Sequence, residues 1–149
     1  MFENLIGKQS TPVKNNVERG SVRAFSISIG DPAPIYTDES RGKQSRYGTN
    51  LAPPTYPRVF DYGTIEGFDL PNVGLIHGKQ TFHYQRPLFV GETVICSSSL
   101  ENYYERKGKS GLLGFLVIKR FGEGTDGNLI FTEEQVVIIT EAVRKGMTS

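Results

Sequence analysis

Residues 75–142 read LIHGKQTFHYQRPLFVGETVICSSSLENYYERKGKSGLLGFLVIKRFGEGTDGNLIFTEEQVVIITEA, and this stretch decides the fold. Four runs rich in β-branched and aromatic residues stand out: Leu75–Pro87, Thr93–Glu105, Leu112–Phe121 and Leu129–Ala142. Gly91, the Lys107–Gly111 segment and the Gly122–Asn128 segment separate them, each short enough for a hairpin, so the spacing predicts an antiparallel meander. The third run and Val136–Ile139 are apolar at successive positions, which marks them as central strands covered on both faces. Strand alternation sends Tyr103 and Tyr104 to opposite faces, and it places His77 and His83, of equal parity, on the same side.

Working outward, Val17–Ile29 spaces Val22, Phe25 and Ile29 for one face of an amphipathic helix, with Asn16 as its N-cap and Gly30 as its stop. Five of the eight prolines fall in 31–57, so this segment reads as a long ordered loop with short helical pieces. Thr55 is positioned to cap a brief helix running through Val59 and Phe60, with Pro57 in its first turn. A weak strand over Leu5–Val13 brings the sheet to about five strands. The expected class is α+β: one domain over residues 1–149, a sheet wrapped round a helix, an order compatible with a hot-dog fold.

The 149 residues suit one domain with its own core. Lys and Arg number 17 against 16 Asp and Glu, which argues against nucleic acid or a membrane surface as partner. Cys96 is the only cysteine, so no internal disulfide forms and a reducing cytoplasm is expected. Residues 1–15 lack the apolar middle of a signal peptide, and no apolar run approaches the length of a membrane span.

Three stretches carry a resemblance: FSISIGDPAPIYTDE (25–39), APPTYP (52–57) and HGKQTFHYQRPLFVGETV (77–94). In order and spacing they resemble the FAS1-type, N-terminal branch of the MaoC-like dehydratases. The resemblance implies a hot-dog fold, two such domains set edge to edge, and a shared tunnel for an acyl thioester of CoA or acyl carrier protein. It implies reversible hydration of trans-2-enoyl thioesters to (3R)-hydroxyacyl products without a metal or redox cofactor. That chemistry needs a base, an acid and donors for an enolate oxygen, work that a paired Asp and His five residues apart supply in the family. Here Asp31 matches the Asp, but the residue five positions on is Tyr36. A phenol titrating near 10 does not replace an imidazole at neutral pH. The resemblance therefore implies a substrate-holding subunit, a homodimer or a heterodimer half, which relies on a partner that owns the Asp/His pair.

Each candidate also has a plainer reading. Asp31 is either an acid at the tunnel or a carboxylate capping the turn before Pro32. Tyr36 either meets the thioester or packs the loop; Tyr56, His77 and Gln80 either bind substrate or serve packing and an interface. His83 reads as a solvent-side strand residue and Cys96 as a small buried hydrophobe. Arg106, Lys107 and Lys109 form a basic hairpin tip that either meets phosphates or is simply solvated. The glycines of 122–128 have no helix behind them and make a turn. Besides the dehydratase component, two readings remain open: a thioester-binding module without turnover, and a hot-dog thioesterase using Glu18, Asp61 or Glu66.

Overall fold

A computed structural model describes residues 1–148. The elements are β1 (Val13–Asn16), α1 (Arg19–Ser28), α2 (Pro34–Thr37), α3 (Glu39–Gln44), β2 (Leu75–Tyr84), β3 (Thr93–Gly108), β4 (Gly111–Glu123), β5 (Leu129–Ile139) and α4 (Glu141–Thr148). All strand pairs are antiparallel, in the order β1-β3-β4-β5-β2. The apolar β4 is central, with β5 beside it, as their composition requires.

Only β3, β4 and β5 form a meander. β2 pairs with β5 across the sheet from β3, so the Gly91 connector is not a hairpin. Its backbone is committed elsewhere: Gln85 N–H donates to Ile130 O (2.7 Å), Ala52 N–H to Leu88 O (2.9 Å) and Val90 N–H to Asn50 O (2.9 Å). Arg86 grips Glu92 through two bonds of 2.8 and 2.9 Å, while Phe89 N–H donates to the same carboxylate. With Pro87 lacking an N–H and Leu88 driven into the core, this connector links the two halves of the sheet instead of turning tightly.

Other boundaries shift for local reasons. The first strand begins at Val13, after a single 3-10 turn over Glu3–Leu5 and an isolated bridge from Gln9 to Ser99. The last strand stops at Ile139 because Thr140 Oγ1 accepts from Val143 N–H and starts α4, which takes Ala142 out of the sheet. Helix α1 begins at Arg19, and Asn16 does not cap it; its carboxamide oxygen accepts from Thr93 Oγ1 instead. Gly30 ends α1 at φ +74°, a left-handed conformation suited to glycine. The buried face of α1 is Val22 and Ser26, whose hydroxyl bonds back to Val22 O, while Ile29 is exposed. Thr55 precedes a 3-10 turn over Tyr56–Val59 without a side-chain cap.

One face of the sheet carries two apolar clusters. The first joins Val22 of α1 to Tyr56, Phe60, Val94, Cys96 and Phe131; the second gathers Phe2, Ile65, Leu100, Leu116 and Ile139. Residues 52–70 run over both, so an irregular segment shares with α1 the work of covering the sheet. Cys96 is fully enclosed and burial pushes its thiol up to about 12. Its ordinary value near 8.5 applies in the unfolded chain, so above that pH only the unfolded state loses this proton. Stability is intact below pH ~8.5 and declines by about 1.4 kcal/mol per unit as pH rises toward the folded value. Urea melts at pH 8 and pH 10 are expected to show this loss in the wild type, and Cys96→Ala is expected to show about 2 kcal/mol less of it.

Candidate active site

One buried side chain ties together several parts of the loop after α1. Asn50, fully buried, donates from Nδ2 to Ile35 O and Asp38 O, both at 2.8 Å, and its Oδ1 accepts from Arg19 Nη1 at 2.6 Å. Gly42 is required opposite it, since a Cβ there would lie 2.6 Å from Asn50 Cγ. α2 and α3 are thereby pinned over the 50–52 segment, as an ordered loop needs if it is to carry function.

Asp31 stands on this loop, exposed, its N–H donating to Ser26 O at 2.9 Å. Tyr36 lies on α2, half-buried against the first cluster. Burial, and then the negative charge of Asp31, push the Tyr36 hydroxyl above its ordinary value. At neutral pH it is therefore a neutral phenol, able to donate a hydrogen bond but not to abstract a proton. Tyr36 lines a cavity of about 390 Å³ with Leu51, Pro54, Tyr84 and Leu88, a wall that is mostly apolar. Tyr84 reaches across to donate to Pro54 O at 2.5 Å, and its hydroxyl too is pushed up, by burial and then by the charge of Glu133.

Tyr56 is almost wholly buried and packs edge-on against Phe25 (5.4 Å) and Phe60 (5.5 Å), a position in the core at the floor of a surface groove beside α1. The two histidines part company. The register of β2 against β5 slips between His77 and Lys79, and this bulge reverses parity, so His77 opposes Val137 on the covered face while His83 opposes Thr132 on the other. The bulge also puts Gln80 on the face of His77, where Gln80 Nε2 donates to Glu133 Oε1 at 2.9 Å. The structure thus brings Asp31 near Tyr36, which meets the Tyr84 end of β2, with Gln80 at mid-strand and His77 toward the other end.

Asn50, Tyr84, Arg58, Arg120 and Glu133 are singled out by no motif in the sequence, and only the fold brings them to the site. The signal for Glu133 was in β5, where Phe131, Glu133, Gln135, Val137 and Ile139 alternate onto the buried face. The three acids considered for thioester hydrolysis are all exposed, Asp61 accepting from Gly63 N–H at 2.9 Å. Tyr103 and Tyr104 do point to opposite faces, and Arg106, Lys107 and Lys109 are exposed at their hairpin tip. Among the described residues, no group of three His, Cys, Asp or Glu side chains is placed to hold a metal, and no helix is long and apolar enough to cross a membrane.

A Thermobifida fusca protein named UPF0336 is 32% identical over 107 residues, covering 68% of this chain and 70% of that one. Among solved structures, the C-terminally truncated HadBC (3R-hydroxyacyl-ACP dehydratase) complex of Mycobacterium tuberculosis superposes with a TM-score of 0.74 at 17% identity, over 93% of this chain and 99% of that one. The MaoC-like dehydratase of Rhodospirillum rubrum gives 0.66 at 17% identity, over 90% and 91% of the two chains. These likenesses establish the hot-dog fold. Residues 4–133 match the FAS1-like, dehydratase domain region, and the chain belongs to that family.

Proposed function

We propose that this chain is the substrate-holding component of an (R)-specific 3-hydroxyacyl-thioester dehydratase, acting in the reducing cytoplasm beside a second hot-dog subunit that supplies the Asp/His pair. The observation that carries the reading is the pairing of Asp31 with a neutral Tyr36 beside an apolar cavity, in a chain of the dehydratase family. An imidazole five residues from the carboxylate would give acid and base; a phenol held above its ordinary range stays protonated at pH 7 and cannot be the base. The β2 edge supports a partner as well. It is ten residues long, bonded on one side only and carries exposed Ile76, an edge that folded proteins ordinarily cover. HadBC, the solved structure named above, is itself a complex.

In this reading the acyl thioester of CoA or of a carrier protein enters beside Tyr36, Tyr56 contributes packing behind the tunnel wall, and His77 and Gln80 serve the substrate from the covered face of β2. Asp31 either assists as an acid or caps its turn. The test is crotonyl-CoA hydration by the purified chain alone and with a histidine-bearing hot-dog partner. Turnover is expected only in the mixture. Binding without turnover beside every such partner would favour a thioester-binding module, and no effect in either sample across several acyl lengths would overturn the reading.

A further inference from the structure

Between its two apolar clusters the covered face of the sheet is charged. Glu133 is 0% exposed, the only acid so enclosed among the described residues. Its Oε1 takes Gln80 at 2.9 Å, Arg58 Nη1 at 3.4 Å and the charge of Arg120 Nη1 at 3.6 Å, while Oε2 has no hydrogen-bond partner among the described residues. Arg58 Nη1 also donates to the buried Gln135 at 3.1 Å. Arg120 lies over the Tyr62 ring at 4.6 Å, and its Nε is buried without an acceptor. Both guanidiniums border a cavity of about 360 Å³ that His77 and Gln135 also line.

Two cations against one carboxylate leave one positive charge, and Arg120 Nε lacks an acceptor although Glu133 Oε2 lies unused in the same cluster. A buried N–H left unmatched costs about 1–3 kcal/mol, and a water would satisfy the N–H but not the charge. Planar guanidinium forks favour a group that offers several oxygens on one anionic centre. One such monoanion would bring the cluster to neutrality.

We propose that Arg58 and Arg120 form an oxyanion subsite for an anionic group carried by the thioester ligand, an inference that rests on the thioester reading above. Its position suits that role. Phe131, in contact with Tyr84 of the Tyr36 cavity, is two and four residues along β5 from Glu133 and Gln135, which the arginines meet, or about 7–13 Å at ~3.3 Å per residue. A ligand lying along the strands would place its reacting carbons at the tyrosine end and an anion at the arginines. The oxyanion has two sources, a carboxylate ending the acyl chain or a phosphate of the carrier.

Calorimetric binding of crotonyl-pantetheine, crotonyl-CoA and glutaconyl-pantetheine, to the chain with and without its partner, separates them. Either charged ligand is expected to bind about tenfold tighter than crotonyl-pantetheine. Preference for crotonyl-CoA identifies a phosphate, and preference for glutaconyl-pantetheine a carboxylate. Arg58→Gln, at a half-exposed position, is expected to abolish the preference while leaving crotonyl-pantetheine unchanged. Glu133→Gln, if it folds, is expected to strengthen the charged ligand severalfold. Equal affinities that Arg58→Gln does not alter would overturn the subsite and leave the thioester reading intact. Equal affinities with weakened subunit association in Arg58→Gln would overturn it in favour of a partner's carboxylate. Binding of none of the three would overturn the thioester reading itself, and the subsite with it.

Discussion

Replacing Phe131 with alanine is expected to lower the free energy of unfolding by about 3–5 kcal/mol, a large share of the ~5–15 kcal/mol ordinary for a domain. The ring is fully buried and stacks on Phe60 at 6.2 Å, with Tyr84 tilted against it at 5.7 Å. It therefore joins the irregular 52–70 segment to β2 and β5 at a single point. Across the register Phe131 opposes Gly122, and a Cβ there would lie 2.0 Å from its Cε1. Gly122→Ala is thus expected to cost about 1–3 kcal/mol by overpacking. The two defects are opposite in kind, since one empties the space that the other crowds. In the double variant the added methyl enters the cavity, so its cost should fall below the sum of the two by about 1 kcal/mol or more. Denaturant midpoints at constant slope measure all three. A cost below about 1 kcal/mol for Phe131→Ala would mean that this end of the core collapses around the loss, and the cavity wall would not be the rigid surface described above.

How far the sequence could be read follows from what each signal depends on. The strands β3, β4 and β5 were legible because apolar runs and turn residues act within a few positions of one another. The partner of β2 was not, because it is set by bonds between the 85–92 connector and Ile130, Ala52 and Asn50, contacts that leave no local pattern. Alternation alone failed at His77 and His83, where one bulge residue inverts every later face. The family resemblance brought attention to Asp31 and Tyr36, and the fold then supplied the cavity that only one of them lines. Glu133 shows the converse. Read singly, an acid in a strand suggests solvent, yet its parity with Phe131 and Val137 put it inside, where Arg58, from a distant loop, and Arg120 meet it.

In a reconstituted pair, replacing the partner's histidine with alanine is expected to lower crotonyl-CoA hydration by about 10²–10⁴-fold, the usual contribution of a positioned acid–base group. In this chain, Tyr36→Phe and Asp31→Asn are each expected to change kcat by less than about threefold. The asymmetry follows from proton chemistry. An imidazole near 6.5 exists in both forms at neutral pH, whereas Tyr36, raised by burial and by the Asp31 charge, stays protonated throughout that range. The rate of the intact pair should therefore change with pH near the ordinary histidine value, and that limb should vanish with the partner's histidine but persist in Tyr36→Phe. Removing the phenol can still weaken binding, because Tyr36 lines the cavity, so a rise in KM at constant kcat fits a residue that holds the ligand. A loss of 100-fold or more in kcat from Asp31→Asn would instead make Asp31 a working acid in this subunit. Since Asp31 is exposed, that outcome would require the partner to close over the loop and exclude water before the carboxylate could take part.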